Sequence, residues 1–175
     1  MELINLDLKA QANNYPSLQL SNRHLCDLEL VMNGGFNPLK GFMAKDDYSS
    51  VLSDMRLCSG SLWPMPITLD VSDEFIKEIS NSPKIALRDK EGFVLAILNI
   101  EDIWQPDLKL EAQSVFGTTD TKHPGVHYLL KKSKKNYIGG KVEKVSWPLH
   151  YDYYELRHTP DQLKSIFKKK KWNKV

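Results

Sequence analysis

The 175-residue sequence predicts an α+β domain built on a small, mostly antiparallel, barrel-like sheet. Three observations carry that expectation. Apolar runs at 85–87 and 93–100 flank the turn Asp89-Lys90-Glu91-Gly92, a hairpin pattern closed by glycine. Short strand-like and helix-like segments interleave without the regular alternation that a parallel βαβ sheet demands. The composition, 41% hydrophobic and 26% charged with mean hydropathy −0.43, is that of a chain able to bury a core.

The elements follow in order. Residues 18–32 read as a helix through Leu25, Leu28, Leu30, Val31 and Met32, stopped by Asn33-Gly34-Gly35. Asp46-Asp47 opens a second helix whose face is Tyr48, Val51, Leu52 and Met55, at i, i+3, i+4 and i+7. LWPMPITLDV at 62–71 reads as a strand, with Pro64 and Pro66 suiting an edge or an entry. Ser72 caps a short helix that runs to Ile79, and the hairpin comes next. Residues 107–116 are amphipathic, with Leu108, Ala112, Val115 and Phe116 on one face. A short helix starts at Pro124, and the glycine pair of YIGGKVEKV leads into another strand. Thr159-Pro160-Asp161-Gln162 is a capping box before a helix whose predicted buried stripe is Leu163, Ile166 and Phe167. Trp172 to Val175 then reads as the beginning of a strand that is cut off.

A net charge of +2 is too mild to signal a nucleic-acid binder. Cys26 and Cys58 lack the spacing of a zinc site or a disulfide framework, so reduced thiols in a cytoplasmic protein are expected. The N-terminus has neither the basic region nor the apolar run of a secretory leader. No apolar stretch approaches the ~20 residues that span a bilayer.

Candidate chemistry is sparse. NGGFNPLKGFM at 33–43 packs three glycines, a proline and two phenylalanines into eleven positions. Five residues separate Gly35 from Gly41, and Phe42 follows, so the loop fails the Walker spacing. It also follows a helix, whereas phosphate loops follow a strand. A folding loop fits better, with Phe36 and Phe42 plugging the core. His123 and His127 stand at i, i+4, but Pro124 occupies the place of the glutamate in a zincin motif. A hydrogen-bonded histidine at a helix start is the plainer reading. Asp46-Asp47 and Glu101-Asp102 are adjacent carboxylates that point apart and suit caps or solvent. No Gly-x-Ser-x-Gly elbow exists, and neither cysteine has a flanking histidine. Lys131, Lys132, Lys134 and Lys135, with the run at 168–171, lack interleaved aromatics and read as solvated faces. No residue therefore stands out as catalytic, substrate-binding or metal-ligating.

Four segments nevertheless carry a family resemblance: NGGFNPLKGFM at 33–43, LWPMPITLDV at 62–71, FGTTDTKHPGVHYL at 116–129 and residues 150–175. Together the chain resembles the N-terminal part of the ATP sulfurylase (sulfate adenylyltransferase) family. The resemblance implies a PUA-like β-barrel over 1–152, then a connecting helix and the first strand residues of a nucleotidyltransferase domain over 153–175. It implies a parent that joins sulfate to the α-phosphate of ATP, releasing pyrophosphate, with Mg²⁺ on the polyphosphate. The family's Gln-x-Arg-Asn-Pro-x-His-x-x-His and Gly-Arg-Asp-His-Ala-Gly motifs have no counterpart here, so the chain alone is expected to be inactive. Its expected partners are that catalytic domain and further copies of itself, with no membrane and no nucleic acid. Tyr151, Tyr153, Tyr154 and Arg157 are the candidate inter-domain face. The alternative is a stand-alone PUA-like RNA-binding module that uses the two lysine runs, and a third is a split enzyme whose catalytic half is a separate chain.

Overall fold

The computed structural model describes residues 4–175; residues 1–3, the start of the stretch read as carrying no leader, lie outside the described residues. Helix α1 (Leu6–Ala12) and strand β1 (Ser17–Gln19) precede α2 (Asn22–Asn33) and the two-residue β2 (Gly41–Phe42). Helix α3 (Lys45–Asp54), β3 (Leu69–Val71) and α4 (Asp73–Glu78) lead into the hairpin of β4 (Lys84–Arg88) and β5 (Val94–Trp104). Helices α5 (Leu108–Phe116) and α6 (Pro124–Lys131) pack on each other before β6 (Asn136–Lys144), and α7 (Pro160–Lys169) follows a 3-10 turn at Tyr154–Leu156.

Local chemistry sets most of the helix starts. Among the described residues, six of the seven α-helices begin at a side chain that accepts a first-turn N–H: Asn5, Ser21, Ser72, Asp107, His123 and Thr159. Helix α3 begins at Ala44, which has no side chain to offer. Its Lys45 N–H donates instead to Asp102 Oδ2 at 3.1 Å, so a carboxylate on β5 caps it from across the fold.

The sheet runs β1-β4-β5-β6-β2, with β3 also paired to β6. Among the described residues β1 with β4 is the parallel pair, and the other four strand pairings are antiparallel. The ladders form an open path, and no pairing closes β1 onto β2 or β3 among the described residues. Strand β6 is the hub: β5 lies along one edge, and β2 and β3 share the other. Gly41 and Gly140 make this crossing possible, because a Cβ on Gly41 would collide with the Gly140 carbonyl and one on Gly140 with that of Asn99. The main core lies between this sheet and α2, α3 and α4, with Leu28, Leu69, Ile85, Leu87, Leu98 and Ile138 sealed from solvent.

Several expectations change. Of residues 62–71 only Leu69–Val71 are strand, because Pro64 and Pro66 have no N–H to give a ladder. Leu18 belongs to β1, and α2 waits for its cap at Ser21. Met55 is not on the face of α3 but is its left-handed C-cap (φ 52°), 56% exposed. In α5 the buried positions are Glu111 and Ala112, while Val115 and Phe116 are only half-buried.

A candidate inter-domain face

Beyond β6 the chain leaves the sheet, and residues 146–159 form no ladder. Side-chain contacts hold this strap to the body. Ser146 Oγ donates to the Val94 carbonyl at 2.6 Å, and His150 Nε2 meets Glu29 Oε1 of α2 at 2.8 Å. The three predicted tyrosines lie on the strap and point into solvent: Tyr151 is 81% exposed, Tyr153 69% and Tyr154 65%. Arg157 behaves differently. Its Nε donates to the Asp152 carbonyl at 3.1 Å and its Nη2 to Asp152 Oδ1 at 2.9 Å, so it clasps its own loop. Tyr153 takes a left-handed conformation (φ 49°), which a non-glycine residue adopts at some cost.

Helix α7 opens on the predicted capping box: Thr159 Oγ1 accepts from the Gln162 N–H, and Gln162 Oε1 accepts from the Thr159 N–H at 2.8 Å. Leu163, Ile166 and Phe167 share one face, as predicted, but they are half-buried rather than buried. The expected strand at Trp172 to Val175 is not formed either. The Trp172 N–H bonds to the Phe167 carbonyl at 3.0 Å and the Lys171 N–H to that of Lys168 at 3.2 Å, with Lys171 left-handed (φ 56°). This is a Schellman stop, and its accompanying apolar contact is the stacking of Trp172 on Phe167, with centroids 6.0 Å apart.

The loop at 33–43 does build the fold: Phe42 is buried, Phe36 packs edge-on against Trp63 at 5.7 Å, and Gly34 (φ 82°) ends α2. Its outer side also lines a cleft of about 340 Å³ facing α7, where Asn33, Asn37, Lys40 and Lys144 stand opposite Asp161. Lys40 Nζ donates to Asn37 Oδ1 at 3.2 Å.

Two buried carboxylates escape the sequence reading. Asp70 Oδ1 accepts from Arg23 Nη2 at 2.6 Å and meets His24 Nε2 at 2.9 Å, while its Oδ2 accepts the Lys134 N–H at 2.8 Å. Burial alone would raise its pKa, but these bonds and the Arg23 charge overcome it and bring it down to about 2. Glu111 Oε2 accepts from both Tyr48 and Tyr137 hydroxyls, at 2.9 and 3.0 Å. Here burial dominates and pushes the carboxyl up, against the pull of the two hydroxyls. Asp70, His24 and Glu111 are themselves buried and Arg23 is part-exposed at the edge of the first cluster, and both clusters tie separate elements of the fold together.

These side chains sit in a recognised frame. Residues 4–147, more than half of the chain, match the family described as PUA-like domain. The chain belongs to the PUA-like domain family. This PUA-like domain is 50% identical to the sulfate adenylyltransferase of Chaetomium globosum and 46% identical to that of Gibberella zeae, in each case over 97% of the chain. It spans only about 30% of the length of those relatives. Among solved structures it is similar to the hexameric APS kinase from Thiobacillus denitrificans, with TM-score 0.71 and 33% identity over 95% of this chain and 29% of that one.

The remaining sequence candidates find ordinary places in the PUA-like domain. His123 Nδ1 accepts the Val126 N–H as the cap of α6 and its ring packs on Phe116 at 5.0 Å, while His127 is exposed. Among the described residues no group of three or more His, Cys, Asp or Glu side chains converges in a way that could hold a metal. Asp47 Oδ1 accepts the Cys58 N–H, and Glu101 pairs with Lys141 while Asp102 turns away to cap α3. Cys26 and Cys58 are both free and exposed. The side chains of Lys131, Lys132, Lys134 and Lys135 face solvent. Among the described residues no helix is long and apolar enough to cross a membrane. The missed Asp70 had one visible signal: a lone carboxylate inside the apolar run ITLDV must be paired if that run is buried.

Proposed function

We propose that this chain is the N-terminal domain of a sulfate adenylyltransferase, which joins ATP and sulfate into adenosine 5′-phosphosulfate and pyrophosphate. The domain supports that reaction and does not perform it. One observation carries the reading: identity near 50% extends over 97% of the chain yet reaches only 30% of the relatives' length. The ionisable clusters of this domain are spent on its own interior, at Asp70 and Glu111, and its exposed strap carries contact residues. ATP, sulfate and Mg²⁺ belong, on this reading, to the remaining part of the longer protein.

Residues 1–152 then form the PUA-like body and 153–175 the connection to a nucleotidyltransferase domain, with Tyr151, Tyr153, Tyr154 and Arg157 on the shared face. The register shifts in β4 and β5, at Leu87/Arg88 and Ile100/Asp102, support a barrel-like curl of the sheet. Assembly into homo-oligomers is supported by the hexameric description of the solved relative. Free exposed thiols suit a cytoplasmic setting.

The test is pyrophosphate release from ATP, sulfate and Mg²⁺. This chain alone is compared with a full-length chimera in which it replaces the matching segment of the Chaetomium globosum enzyme. Activity in the chimera only is the expected result. An active 175-residue chain, or an inactive chimera that is folded, overturns the reading.

A further inference from the structure

We propose that the α5–α6 hairpin is a lobe that swings away from the sheet as a unit while the strands beneath it stay paired, with Glu111 as its latch. Residues 105–135 are an excursion between two strands that are already neighbours. Trp104 ends β5 opposite Tyr137 of β6, and Gln105 Nε2 donates to Asn136 Oδ1 at 3.0 Å across the root. Opening the excursion therefore breaks no ladder pairing. Among the described residues, the backbone hydrogen bonds of 107–133 stay within that stretch. The root itself is pinned, by the Lys134 N–H on Asp70 Oδ2 of β3 and by Asn136 Nδ2 on Asp73 Oδ1 of α4.

Packing gives the same boundary. The hairpin has its own apolar core of Ala112, Val126 and Leu129, distinct from the main one, and Leu108 packs against both. A unit with its own core and few apolar contacts to the body opens at a lower free-energy cost than the whole domain. Polar contacts close it. Tyr48 of α3 and Tyr137 of β6 donate to Glu111 Oε2 at 2.9 and 3.0 Å, and the Arg23 guanidinium of α2 lies over the Tyr128 ring at 5.6 Å. Behind Glu111 the rings of Tyr48, Trp104 and Tyr137 pack with centroids 5.5 to 5.8 Å apart.

The latch responds to protons. Burial raises the Glu111 carboxyl and the Asp70 charge of β3 adds to the rise, while the two hydroxyls and the Arg23 charge oppose it. Burial pushes the Tyr48 and Tyr137 phenols up as well, with Asp107 at the cap of α5 a further carboxylate acting on Tyr48, so both remain donors as Glu111 ionises. The closed lobe holds the Glu111 proton more tightly than the open one, in which water solvates the carboxylate. Closure is thus fully supported below the ordinary carboxylate value and weakens as pH rises through the raised one. Asp70 has the opposite sign and keeps the root pinned over that range.

Hydrogen exchange of the 175-residue chain, read by mass spectrometry from about pH 5 to about pH 9 and normalised to the intrinsic rate at each pH, tests the lobe. Protection over α5 and α6 should fall by up to about tenfold per pH unit above the raised value, while β5 and β6 keep theirs. Glu111→Gln, which cannot ionise, should hold the hairpin's protection constant across the range. Should that variant not fold, Leu108→Ala reads the same unit, with protection over α5 and α6 lower by roughly tenfold and the two strands unchanged. Loss of protection in hairpin and strands together, in the parent or in Leu108→Ala, overturns the proposal, because the hairpin then opens only with the whole domain. Hairpin protection that follows pH identically in the parent and in Glu111→Gln overturns it as well.

Discussion

His24 and Asp70 are 46 positions apart in sequence, yet they meet through Nε2 and Oδ1 at 2.9 Å, with Arg23 Nη2 on the same oxygen. This joint fastens the start of α2 to β3, and Lys134 ties the approach to β6 to the other oxygen. Replacing Asp70 with Asn leaves Arg23 and His24 beside a neutral group in a buried site. The expected cost is about 3–5 kcal/mol, read as a lower midpoint in urea denaturation.

The same residue sets an acid limit. The Asp70 carboxyl titrates near 2 in the fold against an ordinary 3.8, so the folded chain binds fewer protons than the unfolded one in that window. Its contribution, about 2 kcal/mol, is complete above the unfolded value and lost as pH falls through the folded one. Stability measured from pH 5 downward should fall more steeply in the parent than in Asp70→Asn.

Glu111 has the opposite sign. Its folded pKa is raised, so the folded state holds its proton more tightly, and stability is lost as pH rises through that raised value. Glu111→Gln keeps an oxygen for Tyr48 and Tyr137 without the buried charge. Its melting temperature relative to the parent should therefore improve with rising pH; a difference independent of pH would show that the Glu111 carboxyl is not raised in the fold.

Gly140→Ala tests the hub strand. A Cβ there would meet the Asn99 carbonyl at a backbone conformation (φ 156°) that side chains rarely adopt. A loss of more than about 4 kcal/mol is expected, and a folded variant of near-parent stability would contradict the packing described.

Lys171→Gly should stiffen the end of α7. Glycine occupies the left-handed position of a Schellman turn without the strain that lysine carries, a gain of about 0.5–1 kcal/mol. Slower amide exchange at Trp172, whose N–H closes the turn on Phe167, is the readout.

Elements governed by neighbouring residues were legible in the sequence. Ser72, Thr159 and the glycine of Asp89-Lys90-Glu91-Gly92 declare a cap, a capping box and a turn within four positions, and the structure has all three. What the sequence hides is long-range. The Asp102 cap on α3, the pairing of Glu111 with two tyrosines and the Arg23–His24–Asp70 joint each depend on residues brought together by the sheet. Lys171 in a left-handed turn was invisible for another reason, since lysine gives no sign of positive φ and the following Trp-Asn-Lys-Val has a strand-like composition. The tyrosines of the candidate face are exposed, whereas Arg157 satisfies itself on Asp152.

Because β6 (Asn136–Lys144) is the shared neighbour of β2, β3 and β5, the order of synthesis matters. A nascent chain that has emerged only as far as α6 owns every other strand but not the one that joins them. Until residues 136–144 leave the ribosome, the hairpin of β4 and β5 and the segments around β2 and β3 expose apolar edges with no common partner. Translation pausing before that point should prolong chaperone engagement, and pausing after it should not.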